Sequence, residues 1–134
     1  MDRLFLDANV LFSAAYRSDA GLSRLWQLGD VHLLTSTYAV EEARRNLIVS
    51  ARRDHLARLL RTVQVVGVPP TFHSLPDGLT LREKDRPILL AAIHGGASHL
   101  LTGDVRDFGR YFGTRLAGVL VLSPGDYLRA RPKR

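Results

Sequence analysis

The chain has 134 residues, of which 46% are hydrophobic, 24% are charged and none is cysteine. That length fits one domain with a real apolar core, and the lack of thiols excludes disulfides, thiolate metal sites and cysteine nucleophiles. Lys and Arg number 19 against 13 Asp and Glu, a net charge of +6 shared by nucleic-acid-binding domains and by surfaces that are merely well solvated.

The first predicted strand, Arg3–Leu6, lies in RLFLDANVLFSA, where Asp7 separates two apolar runs. Leu22, Leu25, Trp26 and Leu28 give a helical stripe before a second strand at Val31–Thr35. Val40, Ala43 and Leu47 form the next stripe, and Leu56, Leu59, Leu60 and Val63 another. Nine positions at about 100° each put Leu47 and Leu56 on opposite sides of one straight helix, so a break is expected between Ile48 and His55. A third strand, Val63–Val68, runs into the loop VGVPPTFHSLPDGLT. A helix from Asp85 to His94 follows, with Pro87 in its first turn and Gly95-Gly96 to stop it. Strands at His99–Thr102 and Val119–Leu122 complete the pattern, and the RARPKR end reads as a basic tail. Short strands with little polar alternation, separated by helices, predict an α/β fold around a mainly parallel, five-stranded sheet covered on both faces. No apolar run spans a bilayer and the first residues lack a secretory signal, so a cytoplasmic location is the expectation.

In an open parallel sheet, sites form beyond the carboxyl ends of the strands. Asp7 follows the first strand and Asp104 the fourth. Glu42 falls in the first turn of the helix after the second strand, and Asp85 starts the helix that leads into the fourth. Topology therefore gathers four acids at one edge. Each has an ordinary alternative: a turn or helix cap for Asp7, Asp85 and Asp104, a solvated first-turn residue for Glu42. Glu41 competes with Glu42, which is preferred because Val40, Ala43 and Leu47 face inward. Carboxylates sharing a small site repel one another, and a hard divalent cation removes the conflict. Oxygen-only ligands favour Mg2+ or Mn2+, an ion able to lower the pKa of a bound water and to neutralise charge on a phosphate. A basic domain with an acidic pocket thus suggests phosphodiester hydrolysis.

The segments LFLDANVLFSA, YAVEEARRNL and EKDRPILLAAIHGGASHLLTGDVRDF resemble the PIN-domain family, which includes VapC-like toxins. The resemblance runs from Arg3 to about Leu122. It implies a three-layer α/β/α sandwich as a nuclease domain over residues 1–124, with 125–134 as the basic tail. It also implies a Mg2+- or Mn2+-dependent ribonuclease, paired as a toxin with a cognate antitoxin and forming a homodimer. By motif position the acids are Asp7, Glu42, Asp85 and Asp104, with Asn9 orienting neighbouring groups and Thr102 supplying a hydroxyl. Asp107 is a further candidate ligand, or a cap of the next helix.

Candidate RNA contacts near the pocket are Arg82, Lys84, Arg86 and Arg106. His32, His55, His73, His94 and His99 show no metal-ligand spacing, and no nucleophile elbow or P-loop is present. Leu22, Leu25, Trp26 and the Leu47–Ile48 region each read first as core; should they extend to a protein interface, Trp26 is the best anchor. Two alternatives remain at this level. One is a catalytically inactive RNA- or protein-binding module of the same fold. The other is a haloacid-dehalogenase-like phosphatase, disfavoured because Asn9 stands where its second acid belongs.

Overall fold

Leucine-rich segments shielded on both faces form the centre of the molecule, described by a computed structural model over residues 1–17, 21–68 and 75–131. Strands β1 (Asp2–Leu6), β2 (Val31–Ser36), β3 (Val63–Val66), β4 (His99–Leu101), β5 (Arg115–Leu116) and β6 (Val119–Leu122) make one sheet in the order β3-β2-β1-β4-β6-β5. Every neighbouring pair is parallel except β5 with β6. Leu4, Phe5, Leu6, Leu34, Leu100, Leu101 and Val121 are fully buried, which explains why consecutive strand residues are apolar rather than alternating.

The helices are α1 (Ala8–Tyr16), α2 (Thr37–Asn46), α3 (Ser50–Leu59), α4 (Arg86–His94), α5 (Val105–Phe108) and α6 (Pro124–Ala130). From β1 to β3 the chain steps one way across the sheet, and from β3 to β6 it steps back. Right-handed crossovers then put α1, α2 and α3 on one face and α4 and α5 on the other. The packing of α1 against both α2 and α3 agrees with this layering. The expected α/β/α sandwich is therefore present.

The break expected after Leu47 occurs where the phase of the leucines demands it. Leu47 turns extended (φ −95, ψ 104), and a new helix starts at Ser50. Leu47 and Leu56 are both buried, one on each side of the bend. The Arg53 side chain secures the bend by donating to the Leu47 carbonyl oxygen. Pro87 lies in the first turn of α4, and Gly95 follows its last residue. A side chain at Gly95 would meet Leu34 Cδ1 at 2.8 Å, so α4 sits close on β2 there.

The structure differs from expectation in three places. A sixth strand, β5, pairs antiparallel with β6 through a two-residue turn in which Ala117 (φ 50) and Gly118 (φ 85) are both left-handed. The Gly21–Gln27 stretch is a 3-10 helix rather than an α-helix. Trp26 in that stretch is half-buried and donates its indole N–H to the Leu59 carbonyl oxygen at 2.9 Å, in line with its reading as core. Residues 124–130, expected mostly in the tail, form α6, which buries Tyr127. The tail residues 132–134 lie outside the described residues, as do 69–74 of the proline-rich loop, His73 included.

Trp26→Phe keeps the ring and deletes the bond to Leu59. It is expected to lower unfolding free energy by about 1 kcal/mol in urea titrations followed by circular dichroism.

Candidate metal centre

The β1–β4 register places Leu6 opposite Leu101, so the next pair outward is Asp7 and Thr102. These positions sit at the carboxyl ends of the strands. There the chain leaves β1 for β2 on one side while β4 lies on the other, a topological switch point. Asp7 is buried, and its backbone N–H donates to the Leu101 carbonyl oxygen at 3.1 Å. Its Oδ1 accepts the Ala8 N–H at 2.6 Å. Its Oδ2 accepts the Thr102 hydroxyl at 2.8 Å and the Asn9 Nδ2–H at 3.2 Å. Asn9 Oδ1 in turn accepts the Gly103 N–H at 2.8 Å, and Thr102 Oγ1 accepts the Asp104 N–H at 3.1 Å. Asp7 thus caps α1 and also faces the cleft. Burial pushes its pKa up, the bonds from Thr102 and Ala8 pull it down, and Glu42 and Asp104 push it up again.

Ser36 caps α2 by accepting the Ala39 N–H, which fixes the rotation of that helix. With Ala39, Val40 and Ala43 buried, Glu41 points to solvent and pairs with Arg44 at 3.1 Å. Glu42 lines the cleft with Asp7. Of the two glutamates, this rotation brings Glu42 to the cleft and leaves Glu41 in solvent.

Asp85 ends a 3-10 turn (Glu83–Asp85) and makes no side-chain capping bond, so the ordinary reading as a cap fails. Its Oδ2 is buried without a hydrogen-bond partner. Desolvation and a hydrogen bond to Asp107 raise its pKa to about 7, against the pull of the Lys84 ammonium 3.7 Å away. Asp107 is held below the usual carboxylate range by that same bond, with Arg82 and Lys84 adding to the effect. Asp104 does keep its capping role, since its Oδ1 accepts the Asp107 N–H at 3.0 Å at the start of α5. Asp107, weighed as a cap, lies inside α5 and turns its carboxylate to Arg82 (3.3 Å) and Lys84 (3.7 Å).

Asp7, Glu42, Asp85 and Asp104 line one cleft of about 600 Å3. Two of these, Asp85 and Asp104, also group with Asp107, each offering an oxygen within 4.8 Å of the others. Asp7 and Glu42 stand outside this tighter group. Two of the four expected RNA contacts, Arg82 and Lys84, are tied to its carboxylates, and Arg86 and Arg106 are exposed. Phe12 and Asn46 also line the cleft and were not anticipated. Their signal lay in helical spacing: Asn9 and Phe12, and Glu42 and Asn46, are three and four residues apart on α1 and α2.

An orphaned buried carboxylate oxygen beside two more carboxylates fits a hard divalent cation, and all the converging donors are oxygens. No histidine joins the group among the described residues.

The sequence profile of the PIN domain family matches residues 3–106. None of the curated proteins matches the chain in sequence. Among solved structures, a chain of Rickettsia felis VapBC2, crystallised on a DNA fragment from its promoter, aligns with a TM-score of 0.69 at 15% identity, covering 90% of this chain and 98% of that one. VapBC-1 of nontypeable Haemophilus influenzae aligns at 0.60 and 16%, covering 92% and 98%. Mycobacterium tuberculosis VapC20, a toxin that cleaves the sarcin–ricin loop, aligns at 0.56 and 13%, covering 84% and 98%. At these identities the likeness is one of fold.

The folded Asp85 keeps its proton up to about pH 7, whereas the unfolded carboxyl releases it near 3.8. Without divalent ions, stability is therefore present below the lower value and is lost as pH rises toward the upper one. Asp85→Asn can still donate to Asp107 and carries no charge. In chelator it is expected to melt higher than wild type near neutral pH, with the gap closing below about pH 4 in thermal scans.

Proposed function

Because the chain belongs to the PIN domain family, we propose that it is a Mg2+- or Mn2+-dependent endoribonuclease acting as the toxin of a toxin–antitoxin pair. The observation that carries this reading is the convergence of Asp7, Glu42, Asp85 and Asp104 on one cleft, with an Asp85 oxygen left unpartnered at its wall. Asp85, Asp104 and Asp107 would hold a divalent ion, with Asp7 and Glu42 facing the same space. When bound, such an ion supplies a water of lowered pKa and neutralises charge developing on the phosphate.

The protein's own groups prepare the site. Thr102 and Asn9 fix the Asp7 carboxylate, so its orientation costs nothing when substrate arrives. Lys84 lines the cleft and offers an ammonium for a phosphate oxygen. Arg86 and Arg106, both exposed, would hold the flanking backbone.

The partners proposed are RNA as substrate, an antitoxin protein and a second copy of the chain. Support for the antitoxin comes from the fold shared with chains of VapBC complexes. Ile48 and Val49, exposed at the α2–α3 bend, offer apolar surface to a protein. The place of action is the cytoplasm, in keeping with the absence of any helix long and apolar enough to cross a membrane among the described residues.

Asp7→Asn and Asp85→Asn are each expected to slow Mn2+-dependent cleavage of single-stranded RNA by at least about 100-fold while circular dichroism stays native. Wild-type rates in both would sink the reading. Glu42→Gln is expected to impair cleavage and Glu41→Gln to change it by less than about twofold, since exposed pairs such as Glu41–Arg44 matter little.

A further inference from the structure

A second, shallow pocket of about 250 Å3 opens between α1 and α3, bounded by Ala15, Tyr16, Ala51, Arg52, His55 and Arg58. Among the described residues its lining holds no carboxylate. The Arg52 guanidinium stacks over the Tyr16 ring, 3.6 Å from its centroid. Stacking occupies the faces of the guanidinium and leaves its in-plane N–H donors for an anion. His55 Nδ1 is 3.1 Å from the Ala15 carbonyl oxygen, which ties α3 to the end of α1. Arg58 lies one turn further along α3 and is exposed.

This pocket is joined to the metal cleft by one aromatic step. Phe12 lines the cleft, and its ring centroid is 5.4 Å from that of Tyr16. From Ala8 to Tyr16 the axis of α1 runs about 12 Å. That is roughly three or four nucleotides at the 3.4 Å spacing of a stacked strand.

We propose that Tyr16, Arg52, His55 and Arg58 form a phosphate subsite that holds single-stranded RNA a few nucleotides from the bond being cut, with α1 as the path between. The subsite rests on the ribonuclease reading. Its charge selects the anionic backbone rather than an apolar protein segment, and its four residues carry no base-reading geometry, so the contact is independent of sequence.

The test uses the whole chain, in chelator, with a fluorescent single-stranded RNA of about twelve nucleotides read by anisotropy over a salt series. Arg52→Ala/Arg58→Ala is expected to bind roughly tenfold more weakly than wild type, with a salt slope shallower by about 0.7 for each phosphate that is no longer neutralised. Arg52→Lys is expected to recover the slope but not the full affinity, because an ammonium does not stack flat on the Tyr16 ring. If the double variant melts early, exposed Arg58→Ala alone carries the comparison. Unchanged affinity and slope overturn the subsite whatever the cleavage rates, and would leave this face to a protein. Failure of the wild type to cleave any RNA with Mn2+ overturns the ribonuclease reading instead, and with it the subsite's place beside a scissile bond.

Discussion

Repulsion between carboxylates crowded into one cleft is the constraint around which the rest of the molecule is arranged. Like charges a few ångströms apart cannot all ionise without compensation. The fold meets this in three ways. Asp7 is neutralised locally by three hydrogen-bond donors, two of them the side chains of Asn9 and Thr102. Asp85 and Asp107 titrate against each other, with one pKa driven up and the other down. Arg82 and Lys84 reach in from the segment before α4 and bring positive charge to the rim. Among the fully buried side-chain atoms of the described residues, one Asp85 oxygen is left without a partner, and a cation would satisfy it.

The parts legible in the sequence are those governed by burial and phase. Strands covered on both faces must be apolar throughout, so β1, β2, β4 and β6 declare themselves. The α2–α3 bend is forced by two leucines that one straight helix cannot bury together. The positions of Asp7, Glu42, Asp85 and Asp104 follow from a parallel topology that sends the carboxyl ends of the strands to one edge.

The parts that stayed hidden depend on short elements or on neighbours distant in sequence. β5 has two residues, too few for any pattern, and its turn uses Ala-Gly where Asn-Gly would have been a clear signal. The pairing of Arg82 and Lys84 with Asp107 had no local signal, because Asp107 lies more than twenty residues away in sequence. The partner of the Trp26 indole stayed hidden because nothing local shows that the Leu59 carbonyl lies within reach. Asp85 looked like a cap by residue type, and only the backbone of the turn before α4 shows that it caps nothing.

The Asp7–Thr102 bond joins residues 95 positions apart, and the acidic grouping extends to Asp107 in a chain of 134. Nothing in the first hundred residues can assemble the cleft alone. During synthesis the emerging segment carries Asp7 and Glu42 but lacks the strand that orients the one and the carboxylates that face the other. A product that stops short of Asp107 therefore lacks both the Thr102 hydroxyl that orients Asp7 and the full acidic grouping.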